Sequence, residues 1–403
     1  MANSMSEPKI DDLLAKVNDD EVIEFTQQFV QVESVNGNEA QAANFLAKVC
    51  KEADLQVTLK QVQEGRPNVL AILSGESEEI GLLLHGHTDT VPFFDMANPT
   101  SGEIQDGYIW GRGSVDQKGG LAAAIMAVIS LARAGFRPKK GIAIAAVIDE
   151  ESEHRGSWAL AQEGIKADFA ITTEPSDLHL QVAHKGTAPM RVDFKGVLAH
   201  GSNPWVGVNA IEMAAKFVLA LKNLKLKSVD IPCVGTMQAT YNVGIIDGGT
   251  QYNNVADTCS IFLDRRMVPG ENQTMVLKEV QGMIDKLAAE DIKFKAQVSV
   301  ARPDWKWEVI RQRGLNPSMS PPDSEIALAI SAAHEAETSE PIKLTYTHGY
   351  NDGDFLNNDL KIPTVNYGPG ESERSHTVEE KLRIDHLLIA TRVLLRTIVA
   401  ISG

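Results

Sequence analysis

Hydrophobic and polar positions along the chain predict alternating helices and strands. Helical periodicity covers 20–31, 39–53 and Gly119–Arg133, while strand-like runs cover 55–62 and 67–73, and runs of the buried-strand type start at Gly81, Gly141 and Asp168. A strand followed by a helix, repeated along the chain, is typical of an α/β fold in which helices cover both faces of a parallel-type sheet.

The pattern changes between about Thr187 and Val300. The segment predicts strand Met190–Val197, helix Asn209–Lys222, strands Gln238–Ile246 and Cys259–Arg266, helix Met275–Ala288 and strand Lys293–Val300. This β-α-β-β-α-β order is the ferredoxin-like split βαβ unit. A proline-rich linker at Arg313–Pro322 then leads to helix Ser324–Glu337, strand Pro363–Tyr367 and helix Ile384–Ile401. We therefore predict an α/β domain over 1–186 and 301–403, interrupted by an inserted α+β domain over 187–300.

Side chains that bind metal ions lie where the predicted strands end. His87, the Glu150-Glu151 pair and Glu174 each follow a different strand, and Asp116 and His376 lie in loops. Because open α/β sheets bind ligands beyond the carboxyl ends of their strands, we expect these side chains to converge. Zinc takes imidazole nitrogen and carboxylate oxygen, and two such ions about 3.5–4 Å apart can share a carboxylate and a water. The set predicts a two-metal hydrolase.

Asp89 stands two residues after His87. A carboxylate in that position can accept the second ring N–H of a metal-binding histidine and fix its orientation. Taken singly, these residues have plainer interpretations, since a histidine after a strand is more often a turn residue and Glu150-Glu151 would ordinarily start a solvated helix. Their occurrence together favours the metal site.

Seven short motifs also resemble those of the M20 metallopeptidase family. They are H-G-H-T-D-T-V-P (85–92), G-R-G-S-V-D-Q-K-G-G (111–120), D-E-E (149–151), T-E-P (173–175), A-H-G-S-N-P (199–204), D-R-R-M-V-P-G (264–270) and S-H-T-V-E-E (375–380). Their order and approximate spacing are those of the family from about residue 20 onward. The branch that they resemble includes acetylornithine deacetylase, succinyl-diaminopimelate desuccinylase and glutamate carboxypeptidase.

The resemblance assigns a role to each ligating residue. It implies that His87 and Glu174 hold one metal, that Glu151 and His376 hold the other, and that Asp116 bridges both. It further implies that Glu150 is the general base and that the peptide bond between Asp116 and Gln117 is cis. Gln117 departs from the methionine or threonine that is commoner at this position.

In the family, the inserted domain is a lid and a dimerisation domain. The resemblance implies that His200 reaches the active site of the neighbouring subunit of a homodimer and binds the substrate carbonyl oxygen, while Arg266 and Asn253 bind the rest of the substrate. Arginine suits a terminal carboxylate because its planar fork can bond it bidentately. Arg265 should then face the other side of its strand, at the surface. Asp352, in the turn 349–354, is a weaker pocket candidate.

The activity implied is hydrolysis of the amide bond of an N-acyl amino acid by a metal-bridged water, with two divalent ions per chain: zinc, or else cobalt or manganese. In the family, a glutamate at the position of Glu174 resembles the deacylases and carboxypeptidases, whereas an aspartate there resembles the aminopeptidases, and an N-acyl amino acid deacylase is the first choice. A metallo-carboxypeptidase or dipeptidase is the alternative. A non-catalytic binding protein on the same fold is a further alternative, which the intact set of ligands and base disfavours.

Composition excludes several other classes of protein. The chain has 403 residues, 43% of them hydrophobic and 23% charged, as in ordinary globular proteins. Its net charge of −16 disfavours binding to nucleic acid or anionic membranes. Residues 1–17 lack a basic start and apolar stretch, and no run approaches the ~18 apolar residues of a membrane span. We expect a cytoplasmic protein whose three cysteines are reduced and semi-buried.

Overall fold

The computed structural model describes residues 9–301 and 306–402. The chain divides into two compact units. Unit 1 comprises Met1–Ala183, Met319–Tyr346 and Asn351–Gly403, and unit 2 comprises His184–Ser318 and Thr347–Tyr350. Three stretches of the predicted α/β domain lie outside the described residues, namely 1–8, 302–305 and 403. The domain boundaries at 187 and 300 remain a prediction.

The secondary-structure elements alternate along unit 1 and then along unit 2. The first part of the chain forms α1 (Ile10–Leu14), α2 (Asp19–Gln31), α3 (Ala40–Glu52), β1 (Gln56–Gln63), β2 (Arg66–Leu73), β3 (Ile80–His87), β4 (Ile104–Gln105), β5 (Tyr108–Trp110), α4 (Gly119–Arg133), β6 (Gly141–Val147), α5 (Arg155–Glu163), β7 (Phe169–Thr172) and β8 (Leu180–His184). The middle part forms β9 (Gly186–Lys195), β10 (Ala199–His200), α6 (Ala210–Leu221), β11 (Ser228–Ile231), β12 (Gly235–Gln238), β13 (Thr240–Gly248), β14 (Asn254–Val255), β15 (Thr258–Met267), α7 (Gln273–Glu290), β16 (Ala296–Val300), α8 (Glu308–Arg313) and β17 (Ser318–Met319). The last part forms α9 (Glu325–Thr338), β18 (Leu344–Thr347), β19 (Thr364–Asn366), β20 (Lys381–Arg383) and α10 (Ile384–Ser402).

The large sheet of unit 1 has the strand order β1-β2-β6-β3-β7-β19-β8-β17, with β18 also paired to β8. Its centre is parallel, because β3 runs parallel to both β6 and β7, and β19 runs parallel to β7. Antiparallel pairs flank this centre, at β1 with β2, β2 with β6, and β19 with β8. The predicted α/β class is confirmed, and the sheet is mixed rather than wholly parallel.

Apolar residues on the central strands explain why helices cover both faces of the sheet. Leu83 of β3 packs in one cluster with Leu160 of α5, while the alternation of a strand turns its neighbours Leu82 and Leu84 to the opposite face. Helix α4 contacts β3 and α10. With its preceding turn, at Ser114–Arg133, it is the one described helix long and apolar enough to cross a membrane, and 89% of it is buried inside the protein.

The chain leaves unit 1 and returns to it on neighbouring strands. Strand β8 pairs with β17 at one edge of the large sheet, and the Ser320 N–H donates to the Val182 carbonyl oxygen at 2.9 Å. A separate three-stranded sheet, in the order β20-β5-β4, joins the region after β3 to the start of α10. These strands of two or three residues are too short to give a periodic signal in the sequence.

Unit 2 contains a four-stranded antiparallel sheet in the order β13-β15-β9-β16. With α6 and α7 this is the predicted ferredoxin-like arrangement, in which strands one and three are central. Burial alternates strictly along β15, and its buried residues join the core cluster that includes Phe217 of α6 and Val280 of α7. The predicted βαββαβ unit is therefore confirmed.

Two expectations about single side chains in unit 2 were wrong. Arg265 is fully buried, because its guanidinium pairs with Glu271 at 2.5 Å and lies 4.9 Å from the centre of the Tyr241 ring. The Glu271 carboxylate and the face of the Tyr241 ring take the place of the water that would solvate the guanidinium at the surface. Cys233 is exposed rather than semi-buried, whereas Cys50 and Cys259 are buried; all three are free thiols.

Candidate active site

His87 is the last residue of β3, in the buried centre of the sheet of unit 1. Its Nδ1 lies 2.8 Å from the Asp89 backbone carbonyl oxygen, and its Nε2 lies 3.1 Å from Asp116 Oδ1. Because a carbonyl oxygen can only accept, Nδ1 carries the proton in this contact. Nε2 is then the nitrogen that is available to a metal ion.

The Asp89 carboxylate lies beside the His87 ring and also holds a second loop. Its Oδ1 lies 3.5 Å from His87 Nδ1, farther than the backbone carbonyl oxygen. The carboxylate also accepts the backbone N–H groups of Glu150, at 3.1 Å, and Glu151, at 3.0 Å. Asn36 Nδ2 donates to it as well, at 2.8 Å. Asp89 therefore connects the end of β3 to the loop after β6, which carries both glutamates.

Asp116 lies between the two histidines. Its Oδ1 is 3.1 Å from Nε2 of His87, and its Oδ2 is 3.3 Å from Nε2 of His376. The peptide bond to Gln117 is cis, as the resemblance implies. Glu380 holds the turn from behind, because its Oε1 accepts the backbone N–H groups of Val115 and Asp116, each at 3.0 Å. A carboxylate whose two oxygens face two different imidazoles has the geometry of a bridging ligand.

The two remaining ligand candidates, Glu151 and Glu174, each lie beside one of the two imidazoles. Glu151 Oε1 lies 3.0 Å from Nε2 of His376, and Glu174 Oε1 lies 3.9 Å from Nε2 of His87. His376 has a positive φ of 63°, an uncommon conformation for a residue other than glycine. The structure thus brings the five predicted ligands together in the pairs that the resemblance implies.

The spacing and charge of this set fit divalent metal ions. Two ligands at about 2.1 Å from a tetrahedral zinc ion lie about 3.4 Å apart, close to the 3.0–3.3 Å between each imidazole and its nearest carboxylate. Burial raises the pKa of Glu174 to about 8, and the Asp116 carboxylate adds to that rise. Burial also raises the pKa of Glu150. A cation is what such a set of buried carboxylates requires.

Two residues beside Glu150 carry little signal in the sequence. Ligating atoms of Glu150, His154 and Asp352 lie within 4.8 Å of one another. His154 Nδ1 is 2.8 Å from Asp352 Oδ1, and Ser157 Oγ donates to Asp352 Oδ2 at 2.5 Å. Asp352 is fully buried. The turn 349–354 pointed to Asp352 only loosely, and nothing in the sequence pointed to His154.

A second group of missed residues shapes the loop that carries the glutamates. Asp149 has a φ of 72°, and its carboxylate accepts Arg66 Nη2 at 2.8 Å and Arg155 Nη1 at 2.7 Å. Arg66 Nε also donates to Glu39 at 2.7 Å. The strained turn after β6 is thus held by ion pairs from the first residues of β2 and α5, and Glu39, just before α3, orients Arg66. Only the D-E-E string marks this turn in the sequence.

The three predicted substrate residues all belong to unit 2. His200 is exposed on β10, where it pairs with Asn254 of β14, and its Nδ1 lies 2.7 Å from Ser202 Oγ. Asn253 is the exposed residue before β14, and its backbone oxygen accepts the Gly201 N–H. Arg266 lies on β15, about one-third exposed, with its Nε 2.9 Å from Asp264 Oδ2.

An α/β unit in which a largely buried aspartate faces two imidazoles is the arrangement that a metal-dependent hydrolase needs. The chain belongs to peptidase family M20/M25/M40, whose sequence profile matches residues 83–400. It is 27% identical to N-formyl-4-amino-5-aminomethyl-2-methylpyrimidine deformylase of Bacillus subtilis (strain 168), over 89% of this chain and 88% of the relative. It is 32% identical to acetylornithine deacetylase of Aliivibrio salmonicida (strain LFI1238), over 61% of this chain and 68% of the relative.

Solved structures of the family share the fold. The aminopeptidase PepT of Bacillus cereus ATCC 10987 superposes with a TM-score of 0.78 at 23% identity, over 96% of this chain and 99% of that one. A dinuclear metal-binding M20 peptidase, the YXEP protein of Bacillus subtilis, superposes with a TM-score of 0.72 at 14% identity, over 95% of this chain and 98% of that one. The predicted family and enzyme class are therefore confirmed.

Proposed function

We propose that this enzyme removes the acyl group of an N-acyl amino acid by hydrolysing its amide bond. The observation that carries the chemistry is the Asp116 carboxylate, whose two oxygens face Nε2 of His87 and Nε2 of His376. The observation that favours a deacylase is the kind of relative: a deformylase and a deacetylase, each of which removes an acyl group from nitrogen. By the resemblance, glutamate at position 174 fits a deacylase or a carboxypeptidase better than an aminopeptidase.

His87 and Glu174 would hold one divalent ion, Glu151 and His376 would hold the second, and Asp116 would hold both. When bound, the ions supply Lewis acidity toward the substrate carbonyl and a water of lowered pKa. Zinc suits the imidazole and carboxylate donors, and cobalt and manganese are the alternatives. Asp89 keeps the loop with the two glutamates in register with His87 through the backbone hydrogen bonds described above.

Glu150 would serve as the general base. Its carboxylate is near enough to His87, Glu151 and Glu174 for their charges to shift its pKa, so it would lie beside the metal pair without belonging to it. It would take the proton from the attacking water and deliver it to the amine nitrogen as the C–N bond breaks. Burial raises its pKa, and the nearby Asp352 and Glu174 carboxylates raise it further, which makes Glu150 a stronger base toward the proton of the water.

The substrate-binding roles in unit 2 rest on the family resemblance. His200 would donate to the developing oxyanion from the partner subunit of a homodimer. Such a donor typically contributes about 2.7–4 kcal/mol to transition-state binding. Arg266 would pair with the α-carboxylate of the substrate, and Asn253 would contact its polar groups. The division into a catalytic domain and an inserted lid, and a cytoplasmic location, belong to the same proposal.

A substrate screen tests the proposal. The full chain, loaded separately with zinc, cobalt and manganese, is offered N-formyl, N-acetyl and N-succinyl amino acids and a panel of dipeptides, and release of the free amine is followed. We expect one N-acyl series to give the highest kcat/KM. Faster cleavage of dipeptides would identify a peptidase. Two bound metals without hydrolysis of any amide would identify a binding protein.

A further inference from the structure

Gln117 is a buried glutamine directly after the proposed bridging aspartate. Its side chain is wholly inaccessible to water. Its Oε1 accepts the backbone N–H of His87 at 2.7 Å. Its Nε2 is also buried but has no hydrogen-bond partner within bonding distance among the described residues. Buried amide groups without a partner are uncommon, because an unmade hydrogen bond costs about 1–3 kcal/mol. The free Nε2 therefore needs an explanation.

The accepting half of the amide completes the end of β3. Strand β3 pairs with β7 up to His85, whose carbonyl oxygen accepts the Thr173 N–H at 3.0 Å. The next amide on that side belongs to His87, and it donates to the Gln117 side chain instead of to a strand. Gly86 makes room for this contact, since a Cβ at that position would lie 2.2 Å from Gln117 Oε1.

The donating half of the amide lies beside Glu174. The Gln117 amide is near enough to the largely buried Glu174 carboxylate to act on it as a donor, although Nε2 lies beyond normal hydrogen-bond distance. An N–H group that faces a carboxylate can orient it toward a metal ion. The Gln117 side chain thus contacts the backbone of His87 and faces the carboxylate of Glu174, the two proposed ligands of one metal.

We propose that Gln117 is a positioning residue for the metal held by His87 and Glu174, and that it does not act on the metal held by Glu151 and His376. This inference rests on the proposed two-metal function. Outer hydrogen-bond partners of metal ligands commonly account for 10–100-fold in metal affinity. Methionine, a commoner residue at this position in the family, has neither the acceptor nor the N–H donor of the glutamine amide, so the contact is a property of this chain.

The test separates the two metal positions by removing one ligand at a time. A His376→Ala chain keeps both His87 and Glu174, the proposed ligands of the first metal. A Glu174→Ala chain keeps both Glu151 and His376, the proposed ligands of the second metal. Zinc affinity is measured by competition with a chromophoric chelator, with and without Gln117→Met. We expect Gln117→Met to weaken zinc binding about 10–100-fold in the His376→Ala chain and to leave it unchanged in the Glu174→Ala chain.

Two further variants isolate the cause. Gln117→Glu keeps an oxygen for the His87 N–H but replaces the donor near Glu174 by a second oxygen, so we expect it to weaken zinc binding at least as much as Gln117→Met. Gln273→Met is the matched control, because Gln273 is a buried glutamine of unit 2 whose Nε2 donates to the Arg311 carbonyl oxygen at 2.7 Å. It should leave both zinc affinities unchanged. Thermal unfolding of each apoprotein verifies folding.

The outcomes distinguish the inference from the function on which it rests. If the unmodified chain binds no zinc, the proposed function fails. If the unmodified chain binds two ions and Gln117→Met leaves both affinities unchanged, or weakens both equally, only the positioning role fails. Native zinc affinity in Gln117→Glu would overturn the part assigned to the Nε2 donor.

Discussion

The buried ion pair behind Asp116, the proposed bridging ligand, gives a prediction with a definite magnitude. Arg112 Nη1 donates to Glu380 Oε2 at 2.6 Å, and both side chains are 1% exposed. Glu380→Gln keeps the side-chain volume but removes the charge, so a guanidinium is left buried without a counterion. Breaking a buried pair from one side costs about 3–5 kcal/mol. For a unit of this size that loss lowers the melting temperature by roughly 6–20 °C.

The two partners are not equivalent, and this gives the prediction its control. When Arg112 is replaced by methionine, the Glu380 carboxylate still accepts the N–H groups of Val115 and Asp116, each at 3.0 Å. When Glu380 is neutralised, Arg112 has no comparable support, because its Nε and Nη2 have no hydrogen-bond partner among the described residues. We therefore expect Arg112→Met to cost less than Glu380→Gln, and the double variant to cost less than the sum.

Thermal unfolding of the apoprotein, followed by circular dichroism in the presence of a chelator, measures these losses without the stabilisation that bound metal adds. The chain has two compact units, so the transition of unit 1 is analysed separately from that of unit 2. A loss below about 1 kcal/mol for Glu380→Gln would refute the reasoning, because it would fall in the range of a surface ion pair. A larger loss for Arg112→Met would refute the asymmetry.

Three further predictions concern the reaction. Glu150→Ala should lower kcat by about 10²–10⁴-fold at unchanged metal content, and loss of a metal would instead make Glu150 a ligand. Arg266→Ala should raise KM for substrates with a free α-carboxylate but hardly for their amides; equal effects would indicate that its pair with Asp264 is structural. Equal mixing of inactive His200→Ala and Glu150→Ala chains, under subunit exchange, should restore about a quarter of native activity, whereas inactive heterodimers would exclude action across subunits.

The meeting point of three candidate ligands could be predicted from the sequence, because His87, Glu151 and Glu174 each follow a run of the buried-strand type. The convergence of strand ends is a general property of open α/β sheets. Asp116 and His376 lie in loops, where no strand marks them, and the ligand role of all five residues remains a prediction. The ferredoxin-like unit was predictable for a similar reason, since its helices and strands are long enough to show their periods.

The supporting contacts could not be predicted, because they join segments that are far apart in the sequence. Arg112 and Glu380 are 268 residues apart, and His154 and Asp352 are 198 residues apart. The sequence places Arg265 at the surface, because strand alternation predicts the face of the sheet on which a side chain lies. It does not predict which residues pack over that face. Glu271 and Tyr241 provide that cover only once unit 2 has folded.

The adjacent strands β8 and β17 make the long segment of unit 2, His184–Ser318, a replaceable module. The hydrogen bond from Ser320 to Val182 closes the unit 1 sheet where the chain departs and re-enters, so neighbouring strands only about 4.8 Å apart need connecting. An engineer could bridge this gap with a short turn, or graft the corresponding segment of a relative, without changing the register of the sheet that carries the proposed ligands. By the same route, evolution can exchange this segment while the parallel centre of the unit 1 sheet is inherited unchanged.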